Sequence, residues 1–226
     1  MPEQPSHAGH RQRLKDKFKE RGAHALADYE LIELMLMMAI PRRDVKPLAK
    51  KLLAHFKTVP ALFAAGWEEL SQIDGVGNQA ALMIKLTSAL KLRSRRQALT
   101  EKPAFDNRLD LLDYLYTLMS DLKHEEFRVL YLNSKNHMVD EQVLFKGTVN
   151  ASAVYPREVI KTALDKAATS LVLVHNHPSG DPSPSASDDH LTTELAKIGA
   201  PLHIEIHDHI IIGDGVHYSY RDHGKL

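Results

Sequence analysis

An all-apolar run, Leu171-Val172-Leu173-Val174, leads directly into His175-Asn176-His177-Pro178. If that run is a strand continuing past Val174, its period of two points both imidazoles to one side and Asn176 to the other. Two imidazoles can then reach one ion. The next residues, Ser179-Gly180-Asp181-Pro182-Ser183-Pro184, cannot be helix, so a helix is expected to begin near Ser185 with Asp188 on its first turn. Folding this stiff loop back brings the Asp188 carboxylate to the two histidines. Two imidazoles, one carboxylate and an open fourth position have the composition of a hydrolytic zinc site. The plainer reading of Ser185-x-x-Asp188 is a helix N-cap with an acid near the positive end of the helix dipole. Both uses can coexist, because they can take different carboxylate oxygens.

Hydrolysis at such a centre also needs a group that takes and returns a proton. Glu125 and Glu126 stand at the entrance of a strand-like run, Phe127-Arg128-Val129-Leu130-Tyr131-Leu132-Asn133. Alternation places Glu125 with Phe127, Val129 and Tyr131, and Glu126 with Arg128. Periodicity alone does not choose between them, and a solvated acid at a strand entrance is the plainer reading of either. The chain has no cysteine. This excludes disulfide frameworks, thiolate zinc fingers, a cysteine nucleophile, thiolate-held iron–sulfur clusters and the Cys-pair site of zinc nucleobase deaminases. Any metal is held by nitrogen and oxygen.

The elements that must position these residues sit in the second of two unlike halves. Lys and Arg number 29 over the 226 residues, as do Asp and Glu. Residues 1–100 hold 17 basic against 10 acidic side chains, net +7, and residues 101–226 hold 12 against 19, net −7. With 43% hydrophobic residues the chain can form one fair-sized domain or two small ones. The first half has helical periodicity throughout, and the second alternates strand-like and helix-like runs. A linker is expected over residues 99–107. Asp28 is expected to cap a helix covered by Leu31, Ile32, Leu34, Met35 and Met38 and ended by Pro41. Further helices are expected over 45–56, 67–73 and 78–96. The second half predicts a helix over 108–122, strands over 127–133 and 139–146, a helix over 156–168 and the strand ending in the histidine pair. His203, Glu205, His207 and His209 alternate with Leu202, Ile204, Ile206 and Ile210, which predicts the polar face of a half-buried strand. His190, His217 and His223 read as surface residues, and Gly213-Asp214-Gly215 as a hairpin turn. The first twenty residues lack the apolar core of a secretory signal, and the longest apolar stretch, 31–40, is too short for a membrane span. A cytoplasmic protein without membrane association is expected.

Ile73-Asp74-Gly75-Val76-Gly77 between two helices resembles a helix-hairpin-helix turn, where backbone N–H groups beside Gly75 and Gly77 can take a DNA phosphate without sequence preference. The basic balance of this half agrees with that. Asn78 and Gln79 follow, where DNA-binding hairpins commonly offer Lys or Arg, and a packing role for the glycines is the competing reading.

His175-x-His177-Pro178 followed by Ser185-x-x-Asp188 resembles the JAMM signature of the JAB/MPN metalloproteases. Within them the chain resembles the RadC family, at Glu125-x-Phe127-x-Val129-Leu130-x-Leu132-Asn133, Gly147-Thr148, Pro156-Arg157-Glu158-Val159, HNHPSGDPSPS and Asp208-His209-Ile210. Asp28-Tyr29-Glu30-Leu31 and Pro41-Arg42-x-Asp44-Val45-Lys46-Pro47 extend the resemblance over nearly the whole chain. It implies an α+β protein: a helical, helix-hairpin-helix-like domain over residues 1–100, then a three-layer α/β/α JAB/MPN domain, similar to cytidine deaminases and with a mixed sheet, over residues 104–226. It also implies zinc on His175, His177 and Asp188, Glu125 as general acid/base, and Ser185 steadying the oxyanion of a tetrahedral intermediate. The expected activity is hydrolysis of a peptide or isopeptide amide in a peptide or protein substrate. The alternatives are a DNA-repair-associated DNA-binding protein whose metal domain is a scaffold, and a metal-dependent hydrolase of nucleic acid. No segment names the substrate or an oligomeric state.

Overall fold

The computed structural model describes residues 9–104, 108–120, 122–147 and 154–226. Residues 105–107 of the expected linker and Thr148 of the Gly147-Thr148 pair lie outside the described residues. The chain divides into two compact units, one ending at Lys91 and the other spanning Leu92–Leu226.

The first unit is helical: α1 (His10–Arg21), α2 (Asp28–Ala39), α3 (Lys46–Phe56), α4 (Val59–Ala64), α5 (Trp67–Ser71) and the first part of α6 (Asn78–Glu101), which continues into the second unit. Its core joins Leu14, Ile32, Leu36, Leu48, Leu52, Leu62, Leu70 and Ile84. Helix α2 starts differently from the expectation. Ala27, not Asp28, is the N-cap, and the Glu30 carboxylate accepts the Ala27 N–H at 2.9 Å while holding Lys17 Nζ at 2.8 Å. Asp28 has no acceptor role there because it already lies inside the first turn. Met38, expected among the covering residues, faces outward, and Met37 is buried in its place. Glu33 is fully buried, with His10 Nε2 2.7 Å from its Oε1. Helix α4 was not expected. It starts where Thr58 Oγ1 accepts the Ala61 N–H and Pro60 occupies the first turn.

The second unit is built on a five-stranded mixed sheet: β1 (Glu125–Leu132), β2 (Met138–Gly147), β3 (Ser170–Asn176), β4 (Glu205–Ile212) and β5 (His217–Ser219), in the order β2-β1-β3-β4-β5. Among the described strands β3 and β4 pair parallel and the other pairs are antiparallel. Helices α8 (Pro156–Asp165) and α9 (Ala186–Gly199) cover one face, where Phe127, Val129, Tyr131, Leu171 and Leu173 meet Val159, Ile160, Leu191 and Leu195. Helix α7 (Arg108–Met119) covers the other, where Leu130, Leu132, Val172, Val174, Ile210 and Ile212 meet Leu111, Tyr114, Leu115 and Met119. The molecule is therefore α+β, a helical part followed by a three-layer mixed-sheet part. The apolar run Leu171–Val174 is buried on both faces because β3 is the middle strand.

Strand β4 departs from the expected alternation. Leu171 pairs with Ile206 but Val172 pairs with Asp208, so His207 is an extra residue in the strand. Beyond this bulge every side chain changes face. His209 takes the face of Ile206, toward α9, and is fully buried rather than polar and half-exposed. His203 lies before the strand in the left-handed region (φ 55°). His217, read as a surface residue, is half-buried, with Tyr116 Oη 2.9 Å from its Nδ1. The Gly213-Asp214-Gly215 turn joins β4 to β5.

Candidate metal centre

Strand β3 delivers the histidine pair and α9 delivers the carboxylate. His175 pairs with Phe127 of β1 and is fully buried. His177 follows the strand end, held by its N–H to the Ile212 carbonyl at 2.9 Å. The proline-rich loop then turns back. Gly180 N–H reaches His177 O at 2.9 Å, and Asp214 N–H from the β4–β5 turn reaches Gly180 O at 3.0 Å. A Cβ on Gly213 would lie 2.3 Å from Gly180 O, so this contact requires glycine.

His175 Nε2 lies 3.0 Å from His177 Nε2 and 3.4 Å from Asp188 Oδ1, and His177 Nε2 lies 4.0 Å from Asp188 Oδ2. Tetrahedral bonds of about 2.0–2.1 Å separate neighbouring ligand atoms by about 3.3 Å, so the three groups are spaced to share one ion. Among the described residues they are the one His/Asp/Glu group close enough to do so. His177 Nδ1 donates to the Asp181 carbonyl at 2.8 Å, which leaves the Nε2 of a neutral ring bare toward the site. Burial pushes His175 down to about 4, against the pull of Asp188 and with a small push from His177, and burial likewise holds His209 well below its usual value. Both rings are neutral at pH 7, the state in which an imidazole binds metal.

Asp188 serves its helix and the site with different oxygens. Oδ2 accepts the Ser185 N–H at 2.7 Å and hydroxyl at 2.6 Å, and Ser185 Oγ accepts the Asp188 N–H at 3.2 Å. Oδ1 faces His175. Ser185 thus stands beside the ligand set with its hydroxyl proton on Asp188. Glu125, at the start of β1, is half-buried, and burial raises its carboxyl above the usual value. His177 opposes that rise and Asp188 adds to it. Glu126 points away, fully buried in ion pairs with Arg128 and with Lys146 at 3.0 Å.

Two contributors lie outside the expected set. Asn176 turns from the histidines as the alternation requires, and there its Oδ1 accepts the Glu126 N–H at 2.9 Å while its Nδ2 donates to His124 O at 3.1 Å. It clamps the start of β1 to the end of β3, next to Glu125. His209 places Nε2 2.9 Å from His175 Nδ1 and Nδ1 2.6 Å from Thr192 Oγ1 of α9. Its ring stacks on Tyr220 (centroids 4.8 Å, 15°). The strand alternation hid His209, and the match at Asp208-His209-Ile210 was the one signal that singled it out.

In the first unit, Gly75 takes φ +96° in the turn between α5 and α6, with Leu48 side-chain atoms 3.2 Å from where a Cβ would stand. Gly77 has open space there. Lys51 Nζ donates to the Asp74 carbonyl at 3.0 Å. His207 lies near Glu205 (3.9 Å), away from any second metal-holding group among the described residues. No helix among the described residues is long and apolar enough to cross a membrane.

A family model described as the RadC-like JAB domain matches residues 105–225, and one described as UPF0758 N-terminal matches residues 6–82. JAB domains are often JAMM-type metal-dependent hydrolases. The first match covers more than half of the sequence and includes every residue of the His175, His177, Asp188 group. With a mixed sheet that brings these three side chains to one point, the chain belongs to the RadC family.

Proposed function

We propose that this protein is a zinc-dependent hydrolase that cleaves a peptide or isopeptide amide. The observation that supports this most is the convergence of His175 Nε2, His177 Nε2 and Asp188 Oδ1 at one point, beside a second carboxyl, Glu125, whose proton affinity is raised. When bound, zinc supplies Lewis acidity and brings the pKa of a water from near 16 to about 7. Glu125 takes the proton from the attacking water and delivers it to the departing amine nitrogen. Glu126 is held on the opposite face by Arg128 and Lys146 and takes no part. Ser185 reaches the oxyanion by turning its hydroxyl from Asp188 Oδ2, while its N–H keeps the carboxylate in place.

Metal analysis combined with a hydrolysis screen tests this reading. Wild-type protein holds one zinc per chain and cleaves a peptide or isopeptide substrate. His175→Ala loses the metal, and Glu125→Gln keeps it but not the activity. Cleavage of DNA alone, abolished in both variants, replaces the amide with a phosphodiester substrate. Full activity in Glu125→Gln removes the general base.

A second role in DNA binding is favoured by the +7 balance of residues 1–100 and by the left-handed turn at Gly75 leading into the start of α6. Affinity carried by that half falls steeply between 50 and 200 mM salt, by about 10³-fold or more if six phosphates are contacted. Salt-insensitive binding contradicts it.

A further inference from the structure

The buried atoms behind His175 fix where its proton sits. Thr192 Oγ1 lies 2.6 Å from the Asp188 carbonyl oxygen and 2.6 Å from His209 Nδ1. A carbonyl oxygen only accepts, so the single hydroxyl proton lies between the two oxygens. The other short contact is then filled by a proton on His209 Nδ1. A neutral His209 is thereby left with a bare Nε2, 2.9 Å from His175 Nδ1, which must donate to it. His175 becomes the Nδ1–H tautomer and offers the Nε2 lone pair to the site. Thr192, His209 and His175 are each at most 2% exposed, so water does not compete for these bonds. The opposite polarity would put a proton on His175 Nε2, where it would bond to His177 Nε2 and close the site to a cation.

We propose that Thr192 and His209 are positioning residues of the metal centre, the Thr192 hydroxyl setting the tautomer of His209 and His209 setting that of His175. The relay starts on the main chain of one ligand, Asp188, and ends on the ring of another, His175. Of its three hydrogen bonds one lies within α9, and the other two join α9 to β4 and β4 to β3. Ring planes are held from both ends, by Tyr220 stacked on His209 and Phe127 stacked on His175 (centroids 5.6 Å, 16°). Metal-binding histidines are commonly oriented by an acceptor on their other nitrogen, and losing it typically weakens metal binding 10–100-fold. Here the acceptor is a second imidazole, itself oriented by a hydroxyl. This inference rests on the zinc reading above.

The test uses the full chain and two measurements. Competition titration with a zinc chelator compares wild type, Thr192→Val, Thr192→Ser and His175→Ala. Two-bond ¹H–¹⁵N spectra of the metal-free proteins read the tautomers directly. The expected result is a 10–100-fold affinity loss in Thr192→Val, recovery in Thr192→Ser, and an Nδ1–H His175 in wild type and Thr192→Ser that becomes a tautomer mixture in Thr192→Val. Unchanged affinity and tautomer in a folded Thr192→Val overturns the relay and leaves the metal centre standing. Wild type that binds no more zinc than His175→Ala overturns the metal centre and the relay with it. If Thr192→Val does not fold, the wild-type spectrum still decides, since an Nε2–H His175 overturns the proposal.

Discussion

Glu125 and Glu126 are neighbours in the chain with opposite surroundings, and the difference comes from the pleat of β1. One carboxyl lies where burial raises its proton affinity near His177 and Asp188; the other is neutralised by Arg128 and Lys146. Glu125→Gln is expected to lower kcat by about 10²–10⁴-fold with zinc content unchanged, as metal analysis and turnover on one substrate would show. A base works only when ionised, and this carboxyl is raised above its usual 4.5. The acid limb of kcat/KM is therefore expected above pH 4.5, with activity falling as pH drops through it, and a limb at or below 4.5 would contradict the assignment. Glu126→Gln should instead reduce stability, by about 1–3 kcal/mol in denaturant melts, because the half-buried Arg128 loses one of its two carboxylate partners. The convergence of His175, His177 and Asp188 was legible from residue type and spacing, since His-x-His at the end of an apolar strand leaves little freedom. The choice between the two glutamates was not legible from spacing, because it depends on which face of β1 meets the returning α9.

At the scale of elements, the position of the ligands depends on how strand ends and loops are tied. β3 followed its period of two without interruption, which is why both histidines and Asn176 fell as the alternation required. β4 did not, because one additional residue at His207 reversed the faces beyond it, and a bulge leaves no mark in a polar–apolar pattern. The helix α2 cap was missed for a similar local reason: a glutamate three residues inside reaches back to an alanine that carries no capping side chain of its own. Asn176→Ala removes the partner of a buried Glu126 N–H. It is expected to cost about 1–3 kcal/mol by chemical denaturation and to reduce turnover more than zinc affinity, since it loosens β1 at Glu125. Gly213→Ala drives a methyl into Gly180 O and so into the loop between the second histidine and Ser185. Weaker zinc binding with His175 still in place is the expected outcome, read by chelator competition, and unchanged affinity would show that the loop needs no such anchor.

For the whole molecule, a core in the first unit, cores on both sheet faces of the second and a candidate metal centre confined to the second unit predict two unfolding events with different sensitivities. Scanning calorimetry of the full chain should show two transitions, of which only one moves when zinc is removed. At free zinc one hundred times its Kd the linked stabilisation is about 2.7 kcal/mol. A single transition, or equal shifts in both, would contradict independent units. A helical half followed by alternating strands and helices was visible in the change of periodicity near residue 100, whereas the mixed sheet covered on both sides was implied by the RadC resemblance. The division inside α6 was not visible, because a continuous helix has no compositional seam. The irregular pairing of β4 gives the molecule an uneven tolerance for changes in chain length. Deleting His207 would restore regular pairing and leave His209 facing α9, so such a shortened protein should keep its zinc. Deleting one residue within Leu171–Val174 would instead rotate either the core or the histidine pair through half a turn. Two strands lying side by side would thus accept length variation very differently, and a scan of single-residue deletions across both would show it as a silent position beside a lethal run.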